Sequence, residues 1–440
     1  MSRVFAETKS VCPYCLQTIS ANKAVGDDGY IYLEKICPEH GFFRTLIWEG
    51  KITDYLMWDT RGDYKTVPKA AMQPKNGCPR DCGLCTAHES DGCCVLLEVT
   101  SRCNLHCPVC FASAGEGLVN EPSLDEICAQ YDMLIDRGGP FNIQLSGGEP
   151  TIRDDIAEII DEGKKRGFSF FQLNTNGIRI ADEEGYAEYL KNAGVSCVFL
   201  QFDGLCDSSY EALRGRPLLS TKLKAILNCK KHFLPVVLVP TVCHGINDNE
   251  LGDIIKFAYE NMPHVRGVHF QPMSYFGRCA MEVPVYRLTI PKILRNIEEQ
   301  TGRLILAEHF TGGGAENAYC SFHASYNISP DGRLIALPSN RNSGCCVKSS
   351  EARDFVAKRW SSCDASENIE YETSLDEFLA NPYKNIFTVS GMLFQDAYNL
   401  DLERLRKCHI CEVSLKRGLV PFCAFNLTSA DGTTLYRNKE

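Results

Sequence analysis

The stretch VTSRCNLHCPVCFAS, residues 99–113, contains three cysteines in a C-x3-C-x2-C pattern: Cys103, Cys107 and Cys110. Thiols at such short spacing are typical of iron–sulfur ligands, and a four-iron cube has four irons to ligate. A structural metal site normally has all its positions filled by protein side chains. A triplet that leaves one position open is therefore built to bind something else there, and the rest of the chain has to indicate what.

Composition limits the class of protein. The chain has 440 residues, 44% hydrophobic and 23% charged, which is ordinary for a globular protein and long enough for one large domain with flanking modules. The net charge of −10 argues against general nucleic-acid binding, because a phosphate-binding surface needs a basic excess. The chain starts without an apolar signal-peptide core and lacks a long apolar run, so we expect a cytoplasmic protein, with peripheral membrane contact left open.

Cysteine is the residue type whose number stands out, at 24. A cytosolic protein does not use that many cysteines for disulfides, because its compartment keeps thiols reduced. The close spacing of many of them indicates metal sites instead.

Residues 93–273 alternate strand-like and helix-like segments. Apolar segments predict six strands, at 94–100, 141–147, 169–177, 196–204, 235–242 and 265–273. Amphipathic segments between them predict five helices, at 123–138, 153–167, 183–194, 219–232 and 250–262. Six β/α steps predict a parallel sheet covered by helices. In such sheets ligands sit at the carboxyl ends of the strands, which is where the cysteine triplet falls.

Residues of about 90–275 resemble the radical SAM superfamily. The cysteine triplet followed by Phe111 matches the cluster motif of that superfamily, SGGEP at 146–150 matches its Gly-Gly-Glu motif, and the β/α steps match its partial barrel. The resemblance implies an α/β fold with a partial (β/α)6 barrel. It also implies a [4Fe-4S] cluster whose open iron binds S-adenosylmethionine (SAM) and which is held by Cys103, Cys107 and Cys110.

The chemistry of the site is also implied by this resemblance. An electron from a low-potential donor, such as ferredoxin or flavodoxin, cleaves SAM to a 5'-deoxyadenosyl radical, which takes hydrogen from an unactivated carbon. Gly147 and Gly148 would let the backbone approach the cofactor, and Glu149 would pair with the methionine ammonium. Further contacts to ribose, carboxylate or substrate, with strand-end capping as the alternative, are expected from Asn174, Asn176, Gln201 and Asp203.

The first module, residues 1–60, contains CPYC at 12–15 and CPEH at 37–40. The segment between them predicts a hairpin with Asp28-Gly29 in its turn. This pattern indicates a rubredoxin-like or zinc-ribbon knuckle that holds one iron or zinc ion. Its expected ligands are Cys12, Cys15, Cys37 and His40, with a distant cysteine as the alternative to the histidine.

The second module, residues 61–92, holds a linker and CPRDCGLC, another C-x3-C-x2-C triplet. No SGGEP-like motif accompanies it, so we interpret Cys78, Cys82 and Cys85 as ligands of an auxiliary [4Fe-4S] cluster, with a zinc site as the alternative. The open choices for its fourth ligand are His88, Cys93, Cys94 and a distant cysteine.

The last module, residues 274–440, has less regular patterning. Within KCHICEVSLKRGLVPFCAFN, at 407–426, Cys408, Cys411 and Cys423 have ligand-like spacing and predict a second auxiliary cluster. Cys320 is the expected fourth ligand, and Cys345 and Cys346 are its competitors.

The flanking motifs narrow the resemblance. CPYC, YLEKICPEHGFF, CPRDCGLCTAHES and PFCAFN resemble the radical SAM subgroup that contains the archaeal tetraether lipid synthase and a methylase of a methanopterin precursor. The leading hypothesis is carbon–carbon bond formation that couples lipid chains, which requires a long apolar tunnel. The alternative is methylation of a pterin-type heterocycle, with a methylene-pterin as carbon donor, in a short polar pocket. A non-catalytic electron carrier is a third hypothesis, but it gives no reason for SGGEP.

Overall fold

Two sheets contain most of the strands in the computed structural model. The structure describes residues 2–59, 68–69, 72–83, 85–115, 121–281, 283, 286–329, 331–338, 349–361 and 383–437. The competing ligand candidates Cys345 and Cys346 lie outside these residues. Residues 61–67, 70 and 71, at the start of the second predicted module, also lie outside them.

The first sheet is antiparallel and holds the N-terminal knuckle. Its four strands pair in chain order and are β1 Arg3–Val11, β2 Thr18–Val25, β3 Ile31–Cys37 and β4 Gly41–Trp48. The predicted hairpin is confirmed: β2 and β3 pair around a turn in which Gly29 has φ +80°, a conformation that favours glycine. The β1–β2 and β3–β4 connections lie at the same end of the sheet, so they bring the two predicted metal-binding pairs together.

The remaining elements follow in alternation. The later strands are β5 Cys94–Thr100, β6 Val109–Cys110, β7 Asn142–Gly147, β8 Phe171–Thr175, β9 Cys197–Gln201, β10 Val236–Val239, β11 Thr241–Val242, β12 Val265–Pro272, β13 Arg278–Cys279, β14 Ser321–Ile328, β15 Leu334–Ala336, β16 Ile386–Met392, β17 Ile410–Ser414 and β18 Gly418–Pro421. The α-helices are α1 Ile52–Trp58, α2 Leu124–Asp136, α3 Ile156–Lys165, α4 Ile178–Asp182, α5 Tyr186–Ala193, α6 Asp207–Arg214, α7 Leu219–Lys231, α8 Leu251–Glu260, α9 Ile290–Gln300, α10 Ser349–Trp360, α11 Leu402–Arg406 and α12 Phe422–Phe425.

The predicted barrel is confirmed. Strands β5, β7, β8, β9, β10 and β12 are parallel neighbours in this order, and the five predicted helices are α2, α3, α5, α7 and α8. Alternate strand residues are buried against these helices in one continuous core. Many of the residues between them are buried on the other face, which explains why the strands do not alternate strictly between apolar and polar residues. The short helices α4 and α6 are additional to the prediction.

The parallel sheet extends beyond the six predicted strands. Strand β16 pairs parallel with β12, and β14 then pairs antiparallel with β16. At the other edge β17 pairs parallel with β5 and forms a hairpin with β18. The segment predicted as a separate C-terminal domain therefore supplies strands at both edges of the barrel sheet, and residue 273 is not the end of that sheet.

The N-terminal sheet packs on the C-terminal segment through buried polar contacts. The Lys23 ammonium lies 2.8 Å from a carboxylate oxygen of Asp401, whose other oxygen accepts a hydrogen bond of 2.7 Å from Thr8. The Lys35 ammonium, almost fully buried, donates to the Ala397 carbonyl at 2.7 Å. Because buried charges need partners, these bonds fix the knuckle against the rest of the molecule.

Ser123 is the N-cap residue of α2. Its hydroxyl accepts from the Glu126 N–H, and the Glu126 carboxylate accepts from the Ser123 N–H, which makes a capping box. We expect Ser123→Ala to lower the free energy of unfolding by about 1 kcal/mol, measured by urea denaturation. Ser220→Ala, at an exposed position early in α7, is the matched control and should change stability by less than about 0.5 kcal/mol. Equal losses in both variants would contradict the capping role.

Candidate active site

A cavity of about 680 Å³ opens at the carboxyl ends of the parallel strands. Its wall there is formed by Ser146 to Glu149 at the end of β7, Asn174 to Asn176 at the end of β8, Gln201 on β9 and Gln271 on β12. The cavity continues along the inner face of the sheet, where Gln144, Phe199 and His269 line it. The cavity thus has an outer end at the predicted functional edge and an inner end inside the barrel.

The cysteine triplet forms one wall of the outer end. Cys103 and Cys107 lie in the loop after β5, Cys110 ends the short strand β6, and all three line the cavity. Backbone N–H groups of Leu105 and Ala114 approach the sulfurs of Cys103 and Cys110, each at 3.4 Å. Burial raises the pKa of the Cys103 thiol to about 12, so its thiolate needs a bound cation. Three soft sulfur donors facing one cavity fit a [4Fe-4S] cluster with an open iron.

Gly147 and Gly148 bring the SGGEP segment against the cysteine loop. The Gly148 N–H donates to the Thr100 carbonyl at 2.7 Å, and the Glu149 N–H donates to the Arg102 carbonyl at 2.8 Å. A Cβ atom added to Gly148 would lie 2.0 Å from the Arg102 oxygen, and one added to Gly147 would lie 2.2 Å from the Thr100 oxygen. The structure thus gives the glycines a role beyond the expected approach to the cofactor: only a residue without a side chain fits beside this loop.

The Glu149 carboxylate ties the ends of two strands together. It is 1% exposed and accepts from both the N–H and the hydroxyl of Thr151, at 3.1 and 2.6 Å. It also accepts from the Thr175 hydroxyl and the Asn176 N–H at the end of β8, each at 2.7 Å. Four donors are the expected environment of a buried anion. The pairing of Glu149 with a methionine ammonium stays a prediction.

The predicted amide side chains all line the cavity. Asn176 donates to Asn104 of the cysteine loop at 2.7 Å, which links the end of β8 to that loop. Asn174 approaches Gln144 at 3.4 Å, and Gln201 accepts from the buried Lys222 at 3.2 Å. These bonds hold polar groups of three neighbouring strands at the cavity wall.

Asp203 acts on the site through an arginine. The carboxylate is fully buried, is not part of the cavity wall, and binds Arg214 with two contacts of 2.7 Å. Arg214 itself lines the cavity. Burial raises the pKa of Cys107, and the positive charge of Arg214 acts in the opposite direction. Sequence reasoning missed Arg214 because it lies at the end of α6, a helix that was not predicted. A buried bidentate pair of this kind fixes the guanidinium in place.

The second cysteine triplet lies among residues of the C-terminal segment. A hydrogen bond with Cys82 lowers the pKa of Cys78, so these two thiols are neighbours, and the Cys82 N–H is 3.0 Å from the Tyr436 hydroxyl. The candidates for the fourth ligand have other partners. A ring nitrogen of His88 lies 2.7 Å from the Cys408 carbonyl. The sulfurs of Cys93 and Cys94 lie 3.6 Å apart at the wall of the main cavity.

The third predicted set of cysteines lies around Cys408 in the C-terminal segment. Burial and then the charge of Cys320 raise the pKa of Cys408 to about 12. Burial and then the charge of Cys408 raise the pKa values of Cys411 and Cys423 in turn. The Arg404 guanidinium donates to the Cys320 sulfur at 3.4 Å. Cys408 is therefore close to the three other predicted ligands, and an auxiliary cluster at this place stays a prediction.

The four predicted ligands of the N-terminal metal site lie close together. Within the described residues, Cys12, Cys15, Cys37 and His40 are the one group whose ligand atoms lie close enough to hold a single ion, all within 4.8 Å of one another. His40 Nδ1 lies 3.6 Å from the Cys12 sulfur and 3.5 Å from the Cys37 sulfur. Three sulfurs and one imidazole fit zinc in a closed tetrahedral site.

The inner end of the cavity was missed by sequence reasoning. His269 on β12, Ser390 on β16 and His323 on β14 are paired in register, so they form a polar row across three strands, all of it on the cavity wall. Ser321 and Ser325 flank His323 on the same face of β14. The alternation of polar and apolar residues in SFHASYNI was the available signal.

Comparison with known proteins identifies the class. The model of the radical SAM superfamily matches residues 97–258, and that of the HMPTM N-terminal zinc ribbon domain matches residues 4–49. The 7,8-dihydro-6-hydroxymethylpterin dimethyltransferase of Methanocaldococcus jannaschii is 35% identical over 96% of this chain and 93% of its own. A probable GTP 3',8-cyclase of Methanothermobacter thermautotrophicus is 31% identical over 54% of this chain and 81% of its own. Among solved structures, Streptococcus suis SuiB bound to S-adenosylmethionine is 15% identical over 48% of each chain, with a TM-score of 0.41.

The match to the superfamily model and the similarity to the dimethyltransferase, together with the barrel and the cysteine-lined cavity, define an iron–sulfur enzyme that uses SAM. The chain belongs to the radical SAM superfamily, in the subgroup that contains the methanopterin-precursor methylase. Within the described chain, no helix has the length and hydropathy that a membrane span requires.

The contact between Gly148 and the cysteine loop gives a prediction. We expect Gly148→Ala to displace the loop and to reduce SAM-dependent release of 5'-deoxyadenosine by about 100-fold or more, since small misplacements at a reacting site are costly. The control is Gly167→Ala, which has an unfavourable φ of +91° but open space around it. It should lower stability and leave the release of 5'-deoxyadenosine intact. Full activity of Gly148→Ala would refute the steric role of this glycine.

The N-terminal ligand set gives a second prediction. We expect the purified protein to carry about one zinc ion per chain at this site, and Cys15→Ser to lose it and to lower the melting temperature. Zinc is measured by inductively coupled plasma mass spectrometry. Cys206→Ser changes an exposed thiol outside these sets and should keep the zinc. Iron in place of zinc in a protein expressed with both metals would contradict the assignment.

Proposed function

We propose that this radical SAM enzyme methylates a reduced pterin of the 6-hydroxymethyl-7,8-dihydropterin type. The observation that carries the proposal is the division of the cavity: a cysteine-lined outer end suited to the cluster and SAM continues into a polar, aromatic-walled inner end. The 35% identity to a pterin dimethyltransferase along nearly the whole of both chains supports the same substrate class.

The aromatic part of the inner wall suits a flat heterocycle. Phe199 and Trp360 have ring centroids 4.8 Å apart, and His269 lies 5.8 Å from Phe199 and 5.9 Å from Trp360. All three rings line the cavity. Burial lowers the pKa of His269 to about 4, so at neutral pH its imidazole is uncharged and can pack against an aromatic ring.

The polar part of the same wall argues against a lipid chain. Side chains with hydrogen-bonding groups at the inner end include Gln144, His323, Ser390, Arg359 and Glu316. An alkyl chain could form no hydrogen bonds with these groups. A ring with nitrogen and oxygen atoms along its edge can bond them. The alternative hypothesis from the sequence therefore has more support than coupling of lipid chains, and family membership leaves the electron-carrier hypothesis without support.

The residues of this chain have separate tasks in the proposed reaction. Cys103, Cys107 and Cys110 would hold the cluster, which together with bound SAM supplies a 5'-deoxyadenosyl radical after reduction. Gly148 and Glu149 fix the strand end against the cysteine loop. The amides of Asn174, Asn176 and Gln201 orient polar groups of the cofactor at the wall. The enclosing barrel keeps water from the reacting carbon.

Two further features fit the electron supply. The predicted auxiliary ligands Cys408 and Cys411 lie at or beside β17, the parallel neighbour of β5. A cluster there would stand next to the barrel and could relay electrons or bind substrate. A low-potential donor of the ferredoxin or flavodoxin class would be the partner, because cleavage of SAM needs one electron.

The test measures 5'-deoxyadenosine release and pterin mass together. Anaerobically reconstituted enzyme is given SAM, a strong reductant and 6-hydroxymethyl-7,8-dihydropterin, with a methylene-pterin as carbon donor. We expect the pterin to raise release at least about tenfold over its absence and to gain the mass of one or two methyl groups. Cys103→Ala is the blank.

Two outcomes decide against the proposal. Stimulation by a membrane-lipid extract but not by the pterin would return the assignment to lipid coupling. Release that neither compound stimulates would leave the radical SAM enzyme with a different substrate.

A further inference from the structure

Glu316 occupies a specific place at the inner end of the cavity. It follows a glycine-rich segment, lines the cavity, and its side chain keeps 12% of its exposure. The Ser321 hydroxyl donates to Oε1, and His409 Nδ1 lies 3.5 Å from Oε2. These contacts hold the carboxylate in a fixed orientation at the wall.

The segment before Glu316 consists of small residues that border the space beside this carboxylate. TGGGA, residues 311–315, lines the cavity without a large side chain. Gly313 packs directly against the carboxylate: a Cβ atom built on it would lie 1.6 Å from Glu316 Oε1. Any other residue at 313 would displace Glu316. The glycine run therefore leaves room for a thin ligand and sets the position of the carboxylate.

Glu316 and the aromatic wall line the same cavity. The carboxylate accepts from Ser321, two residues along β14 from His323, and the strand register places His323 in one row with Ser390 and His269. A planar ligand stacked along Phe199, His269 and Trp360 would therefore point one edge toward Glu316. That edge must offer hydrogen-bond donors, because an ionised carboxylate only accepts.

Pterins have such an edge. The ring N3–H and the 2-amino group are adjacent, parallel donors, and the two oxygens of a carboxylate accept them side by side, as they accept from a guanidinium. A carboxylate has about four lone-pair positions, so it can accept these two bonds beside its contacts within the protein.

We propose that Glu316 is the specificity-determining residue of the substrate site and binds the N3–H and 2-amino edge of the pterin. The inference rests on the proposed function and names how that substrate is selected. Glu316 is a binding residue that reads the pyrimidine ring, while the cysteine-lined outer end carries the chemistry.

The test exchanges the donor pattern on both sides. A lumazine has a 2-oxo group where a pterin has its 2-amino group, so its edge offers one donor and one acceptor. In Glu316→Gln the amide oxygen accepts from N3–H and the amide NH2 donates to the 2-oxo group. Equilibrium binding of 6-hydroxymethyl-7,8-dihydropterin and of the matching lumazine is measured with cluster-loaded enzyme and SAM, without reductant, so that no turnover occurs.

We expect the wild-type enzyme to prefer the pterin, and Glu316→Gln to bind it at least about tenfold more weakly while binding the lumazine more tightly than wild type does. The gain for lumazine cannot come from a misfolded variant. Glu158→Gln, the same substitution at an exposed position on α3, is the control and should keep the wild-type preference.

The outcomes separate the two proposals. If wild type binds neither compound, the proposed pterin function fails and this inference fails with it. If wild type prefers the pterin and Glu316→Gln keeps that preference, the proposed function stands, and Glu316 is only the structural partner of Ser321 and His409.

Discussion

The backbone contact between the end of β7 and the cysteine loop is the constraint on which the site depends. Two hydrogen bonds, from Gly148 to Thr100 and from Glu149 to Arg102, join the SGGEP segment to the loop that carries the triplet. Their geometry excludes any side chain at 147 and 148. Because the Glu149 carboxylate in turn holds the end of β8, the contact aligns two strand ends and the metal-binding loop as one unit. The cofactor site is thereby held by backbone bonds at the cysteine loop and by the side chain of Glu149 at the end of β8.

Much of this arrangement could be predicted from the sequence, and the reason is local. The first barrel strand begins and ends where the sequence predicts, because the segment from Cys94 to Thr100 is mostly apolar and almost entirely buried. The triplet and the glycine pair can be recognised from the spacing of their residues along the chain. The N-terminal ligands are likewise two short pairs joined by a recognisable hairpin.

The parts that were missed depend on contacts between distant segments. Strand β16 joins the barrel beside β12, although more than 100 residues separate them in the chain, and β17 returns to the opposite edge beside β5. No local sequence pattern predicts pairing between strands that are so far apart in the chain. Arg214 is held in position by its bond to Asp203. The row of His269, Ser390 and His323 forms only when three strands pair in register. Polar residues that face into a barrel cannot be distinguished, in one sequence, from polar residues that face solvent.

The two ends of the cavity are therefore supplied by different parts of the chain. The outer end comes from the first four strands of the barrel, which carry the superfamily motifs. Much of the inner end comes from β12 and from the later β14 and β16, together with the glycine-rich segment before β14. Changes in the later segment can reshape the edge that a substrate meets without moving the cysteine loop, since the loop is fixed by its own bonds to β7 and β8. This separation explains how one radical-generating site can be combined with different substrate pockets, and why motifs of the outer end identify the superfamily but not the substrate.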